Sequence, residues 1–80
     1  MKTIRVRYCD QLCDQSGIEE EAVQTGAGSP EELFRELNIA NRFTVEARGL
    51  RTAINNEFVP LNTPLWEGDT VSFLPPLVAV

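Results

Sequence analysis

The sequence predicts an α+β fold in which one main helix packs across a mixed sheet. Three observations carry this prediction. The chain opens on a strictly alternating segment, and a strong helix start follows at residues 29–32. From Phe43 onward the pattern breaks into short apolar runs separated by turn residues. The 80 residues make one domain, and a chain this short buries only about 60% of its unfolded surface. An apolar content of 42% is ordinary for a globular domain and too high for a disordered chain.

In Lys2 to Cys9, Ile4, Val6 and Tyr8 share one face while Thr3, Arg5, Arg7 and Cys9 share the other. This is the pattern of a half-buried strand. Asp10 to Ser16 reads as a loop with one helical turn, closed by Gly17. The distance of Ile18 to Thr25 from the first strand suits a second strand paired as a wide antiparallel hairpin, and Gly26-Ala27-Gly28 is a connection. At Ser29-Pro30-Glu31-Glu32, Ser29 is suited to cap the first turn, Pro30 to the first helical position, and Glu32 to completing a capping box. Glu31 and Glu32 also favour the positive end of the helix dipole. Leu33, Phe34 and Leu37 form the apolar stripe, and the helix should run to about Asn38. Phe43 to Arg48 and Arg51 to Asn55 read as strands, Asn55-Asn56-Glu57 as a turn, and Phe58-Val59 as a short returning strand. Glu67-Gly68-Asp69 is a turn, and Thr70 to Leu74 is the last strand, ended by Pro75-Pro76. Setting the first and last strands parallel and side by side gives a β-grasp architecture. It would bury Ile4, Val6, Tyr8, Val71 and Phe73 against Leu33, Phe34 and Leu37. The domain is read as residues 1–76, followed by an apolar tail at 77–80.

Composition excludes several function classes. A net charge of -5 makes nucleic acid a poor partner and favours proteins with basic surfaces. No apolar run approaches the ~20 residues that span a membrane. With no leader-like segment at the start, the default expectation is a cytoplasmic protein. There is no histidine and there are only two cysteines, Cys9 and Cys13. They are too few for a disulfide framework and at most half of a metal site, so no metal and no cofactor is expected. No catalytic constellation is present, and Gly26-Ala27-Gly28 lacks the third glycine of a dinucleotide fingerprint. The chain is not expected to be an enzyme acting alone.

The run Ala53-Ile54-Asn55-Asn56-Glu57-Phe58-Val59, then Leu65-Trp66-Glu67-Gly68-Asp69-Thr70-Val71-Ser72-Phe73-Leu74-Pro75-Pro76, resembles the ubiquitin-like sulfur carriers of the MoaD/ThiS family. The order and spacing of its pieces look most like the small subunit of molybdopterin synthase. The likeness covers essentially the whole chain. Cys13 stands where the family often has an arginine. The family ends Pro-Pro, two residues, then Gly-Gly. Here Pro75-Pro76 is followed by Leu77, Val78, Ala79 and Val80, so Ala79 and Val80 occupy the diglycine positions.

The resemblance implies a terminal carboxylate that an adenylating, E1-like activating enzyme converts to a thiocarboxylate. A larger synthase subunit then receives the tail in a narrow channel. Glycine suits such a channel because it has no Cβ, whereas valine is β-branched and stiff, so sulfur chemistry at Val80 should be severely impaired. The resemblance also implies a partner-binding surface. It would comprise the tail residues Pro75, Pro76, Leu77 and Val78 and the outward sheet face at Leu74, Phe58 and Cys9. Trp66 is read either as an interface anchor or as a cover for the small core. Three roles fit: a subunit in molybdenum-cofactor biosynthesis, a non-carrier adaptor or inhibitor that only binds, and a thiazole-type carrier.

Overall fold

A computed structural model describes residues 1–9, 11–41 and 50–74. The elements in chain order are β1 (Lys2–Tyr8), α1 (Gln11–Ser16), β2 (Glu20–Thr25), α2 (Pro30–Asn41), β3 (Arg51–Ile54), β4 (Glu57–Val59) and β5 (Thr70–Leu74). The strands form one sheet in the order β2-β1-β5-β3-β4. β1 runs antiparallel to β2 and parallel to β5, pairing Val6 with Val71 and Tyr8 with Phe73. β3 pairs antiparallel with both β4 and β5. The expected strand at Phe43 to Arg48 lies outside the described residues, as does the chain from Pro75 to Val80.

The alternation of β1 decides which face is covered. Ile4, Val6 and Tyr8 are buried with Val71 and Phe73 on the same side of the sheet, and Leu33, Phe34 and Leu37 of α2 close over them. Phe34 and Phe73 meet tilted, with ring centroids 5.3 Å apart, a favourable arrangement for two aromatic quadrupoles. All eight residues expected in the core are buried.

Two local expectations change. α1 is a full short helix, because Leu12 is buried in the core and holds the segment down. It ends at Gly17, whose φ of 73° is left-handed and whose N–H donates to the Cys13 carbonyl at 2.9 Å. α2 runs three residues past Asn38, since neither glycine nor proline interrupts the stretch to Asn41.

The cap of α2 also differs in detail. The Glu32 carboxylate accepts from the Gly28 N–H at 2.5 Å, one residue upstream of the cap itself, while Ser29 Oγ accepts from the Glu32 N–H at 3.4 Å. A Cβ at Gly28 would lie 3.2 Å from that carboxylate oxygen, so the glycine leaves room for the longer reach. The helix start is tied to the 61–65 segment as well, through Glu31 N–H to the Leu61 carbonyl and Leu65 N–H to the Gly28 carbonyl, both 3.0 Å. Thr25 Oγ1 donates to Glu36 at 2.5 Å, fastening the end of β2 to α2.

Tyr8 is buried, and its hydroxyl donates to Glu21 Oε2 at 2.9 Å. Burial, then the hydrogen bond to Glu21, then the Glu21 charge hold its pKa far above the ordinary 10.0. Below that ordinary value tyrosine is neutral in both states and its contribution is complete. Above it the unfolded chain ionises first, so stability should fall by about 1.4 kcal/mol per pH unit as pH rises past ~10. Denaturant unfolding between pH 9 and 11 should show this extra slope in the parent protein and not in Tyr8→Phe.

Candidate functional site: the uncovered face of the sheet

The same alternation that buries one face leaves the other bare. Arg7 pairs with Ser72, Ser72 with Ala53, and Ala53 with Phe58, so these four side chains share the face opposite α2. Arg51 and Leu74, paired with each other, extend it. Phe58 is 64% exposed, although it sits on a strand of the sheet. The Arg51 guanidinium lies over its ring, 5.9 Å from the centroid, within cation–π range. Phe58 and Arg51 also border a groove of about 520 Å³ that runs past the β4 edge to Thr52, Val59 and Leu61 on the α2 side of the sheet.

The β3–β4 turn presents Phe58. Asn55 and Asn56 have φ of 52° and 71°, the pair of left-handed residues that a two-residue hairpin matched to strand twist requires. Asn55 Oδ1 accepts from the Thr70 N–H at 3.0 Å, and Asn55 Nδ2 donates to Asp69 Oδ1 at 3.1 Å. The asparagine of the A-x-N ahead of the turn is thus structural, joining the hairpin to the start of β5.

Charge on this face runs against the overall balance. Arg5, Arg7 and Arg51 all project from it in a chain of net charge -5. Arg5 pairs with Glu20 at 2.7 Å. Arg7 is exposed and has no ion pair among the described residues. The expectation of basic partners, read from net charge, therefore does not describe this surface, which suits an apolar contact with acidic groups at its rim.

Of the sites expected from the sequence, Phe58 and Leu74 are together on the uncovered face. Cys9 is half-buried one position beyond β1, its N–H bonded to the Phe73 carbonyl and its own carbonyl accepting from Leu12. Pro75, Pro76, Leu77, Val78, Ala79 and Val80 lie outside the described residues. Trp66 does not cover the core, being 71% exposed. The arginines are site residues that sequence reasoning missed, although the alternation of β1 already places two of them on the solvent face. No metal-holding cluster of His, Cys, Asp and Glu occurs among the described residues, and none of their helices is long and apolar enough to cross a membrane.

The sequence profile of the ThiS family matches residues 6–78. This chain belongs to the ThiS family. Solved structures share the fold of this ThiS-family protein. A Pyrococcus furiosus protein assigned as molybdopterin converting factor, subunit 1 superposes with a TM-score of 0.78 at 21% identity, over 96% of this chain and 100% of that one. The small archaeal modifier protein 1 of Haloferax volcanii gives 0.79 at 17% identity, over 96% and 100%. A complex of subunits 1 and 2 of the molybdopterin-converting factor from Helicobacter pylori gives 0.65 at 25% identity, over 98% and 99%. No curated protein sequence matches significantly. The chain is thus a ubiquitin-like sulfur-carrier family protein with the β-grasp fold.

Exposure separates the roles of the two phenylalanines of the sheet. Phe73→Ala should cost about 3–5 kcal/mol, a large part of a small domain's stability. Phe58→Ala should cost less than ~1 kcal/mol. Paired thermal melts check the contrast.

Proposed function

We propose that this protein is a sulfur-carrier-like small subunit of a molybdopterin synthase, acting in molybdenum-cofactor biosynthesis in the cytoplasm. It docks on a larger partner through the uncovered sheet face and the tail that follows β5, and it supplies no catalytic site of its own. The observation that carries this reading is the position of Phe58. A large aromatic side chain stands 64% exposed on an ordered strand, flanked by Arg51 and by Leu74, the last described residue before the tail. Exposed aromatic and arginine side chains together are what interface anchors are made of. The fold likeness to one component of a two-subunit molybdopterin-converting factor supports a protein partner of that kind.

The face and the tail have separable roles. The face supplies contact area, and the tail reaches beyond it. In a carrier, ATP adenylates the terminal carboxylate with release of pyrophosphate. A sulfur nucleophile then displaces AMP to leave a thiocarboxylate. Ala79 and Val80 at the diglycine positions put a β-branched side chain beside the carbon under attack. A misplacement of about 1 Å at a reacting centre costs ~100-fold in rate. One specific observation, these two residues, favours a second reading: an adaptor or inhibitor that occupies a carrier's place without transferring sulfur.

Incubation with an E1-like activating enzyme, ATP and a sulfur donor, followed by intact-mass measurement, tests the chemistry. The parent chain should gain little or no sulfur-for-oxygen mass difference. The double variant Ala79→Gly, Val80→Gly should gain it. If the double variant still binds the activating enzyme yet gains nothing, the assignment of these two positions is wrong. Binding to a molybdopterin synthase large subunit, measured by calorimetry, should weaken by at least about tenfold in Phe58→Asp. An unchanged affinity removes the sheet face from the reading.

A further inference from the structure

A second recess of about 280 Å³ lies where β3 ends and β5 begins, at the end of the sheet away from Leu74. Strand alternation puts it on a different surface from Phe58. Glu57 pairs with Ile54 and Val59 with Thr52, so these residues face away from the bare side of the sheet. Ile54, Val59 and Pro64 give the recess apolar walls, Glu57 and Asp69 line it with carboxylates, and Trp66 borders it with an indole that is 71% exposed.

The indole stands on a fixed base. The Trp66 N–H donates to Asp69 Oδ2 at 2.9 Å, the Asp69 N–H donates to the Trp66 carbonyl at 3.1 Å, and the Gly68 N–H donates to the Thr3 carbonyl at 2.9 Å. Asp69 Oδ1 in turn holds Asn55. These bonds fix the Trp66 backbone beside Asp69 and tie Asp69 to the β3–β4 turn, so the two sides of the recess are held together.

The chemistry of the lining selects the ligand. Among the described residues Asp69 is bonded by uncharged donors, the Asn55 amide and the Trp66 backbone N–H, and no cation pairs with it. Glu57 is exposed and has no ion pair or side-chain hydrogen bond among the described residues. Among the described residues, no cationic side chain lines the recess. An anion is repelled there, and a neutral apolar group would strip water from carboxylates and return nothing. A volume just under the ~300 Å³ at which small-molecule sites begin suits one side chain better than a cofactor. A guanidinium is planar and weakly hydrated, stacks on an indole face and pairs with carboxylates.

We propose that the Trp66–Glu57 recess is a second docking site, one that receives an arginine side chain of a protein partner, on the opposite side of the β3–β4 hairpin from Phe58. It is independent of sulfur transfer and of the tail. Its occupant is an arginine-bearing segment of a protein partner.

Trp66 is the only tryptophan in the chain, which gives a direct readout. N-acetyl-arginine amide, its uncharged isostere N-acetyl-citrulline amide and N-acetyl-lysine amide are titrated into the full chain. Trp66 emission and the indole N–H resonance are followed. Arginine amide should give a saturable change that is about tenfold weaker or absent with citrulline. Glu57→Gln, an exposed substitution, should weaken it severalfold while thermal melts match the parent. An equal response to citrulline, no saturable response, or an unchanged affinity in Glu57→Gln overturns the proposal. Lysine binding as well as arginine overturns the stacked guanidinium.

Discussion

The parallel pairing of β1 with β5 is the constraint on which the rest of this structure depends. It joins the two ends of the described chain at the centre of the sheet and sets Val6 beside Val71 and Tyr8 beside Phe73. α2 can cover only one face, and it covers the one carrying these residues. The parity of the two strands then leaves no choice about the other face. Arg5, Arg7, Ser72 and Leu74 must project from it. A slip of one residue in β1 would bury Arg5 and Arg7, and one in β5 would turn Val71 and Phe73 out of the core, so the register that stabilises the fold also composes the uncovered face. Such a pairing is non-local. Strands more than sixty residues apart in sequence must meet before either is stable, and loop closure makes that the slow part of folding. The β1–β2 and β3–β4 hairpins and α2 are the local pieces that form around it.

Most of this was legible in the sequence because its signals agree across levels. The alternation of Ile4, Val6 and Tyr8 announced β1, the Ser29-Pro30-Glu31-Glu32 run announced α2, and Asn55-Asn56 announced the hairpin. Where local reading fell short, tertiary contact decided. Asp10 to Ser16 is too polar to announce a helix, but Leu12 reaches the core and holds one turn and more in place. Glu32 caps as its residue type suggests but one residue away from the expected partner, because the donor position depends on where Gly28 is held by Leu65. Trp66 could not be assigned from sequence, since a tryptophan beside a turn is equally suited to cover a core or to leave it. The core beneath is already closed by Leu65, and the indole faces water.

The candidate site was legible in its apolar part only. Phe58 and Leu74 follow from strand parity once the register is known. The arginines were missed because net charge averages over the molecule, and here, apart from Glu20 beside Arg5, the acids named below lie elsewhere. Glu31, Glu32 and Glu36 sit on α2, Glu57 and Asp69 on the far side of the hairpin, and Glu67 in the turn before β5. A chain of net charge -5 can thus repel a bulk anion at long range and still offer cations to an acidic rim at contact.

This separation of surfaces extends to the separation of folding from chemistry. The sheet register, the α2 cap and the uncovered face are built by residues that precede Pro75. On the proposed reading the face supplies contact area, and positions 79 and 80 bear on the transfer chemistry at the end of the tail. On the proposed reading, two substitutions in the tail change the transfer chemistry while the residues of the docking face stay as they are. The reverse loss, chemistry kept and partner lost, would require changes at Phe58 or Arg51, on strands that the central pairing holds in place.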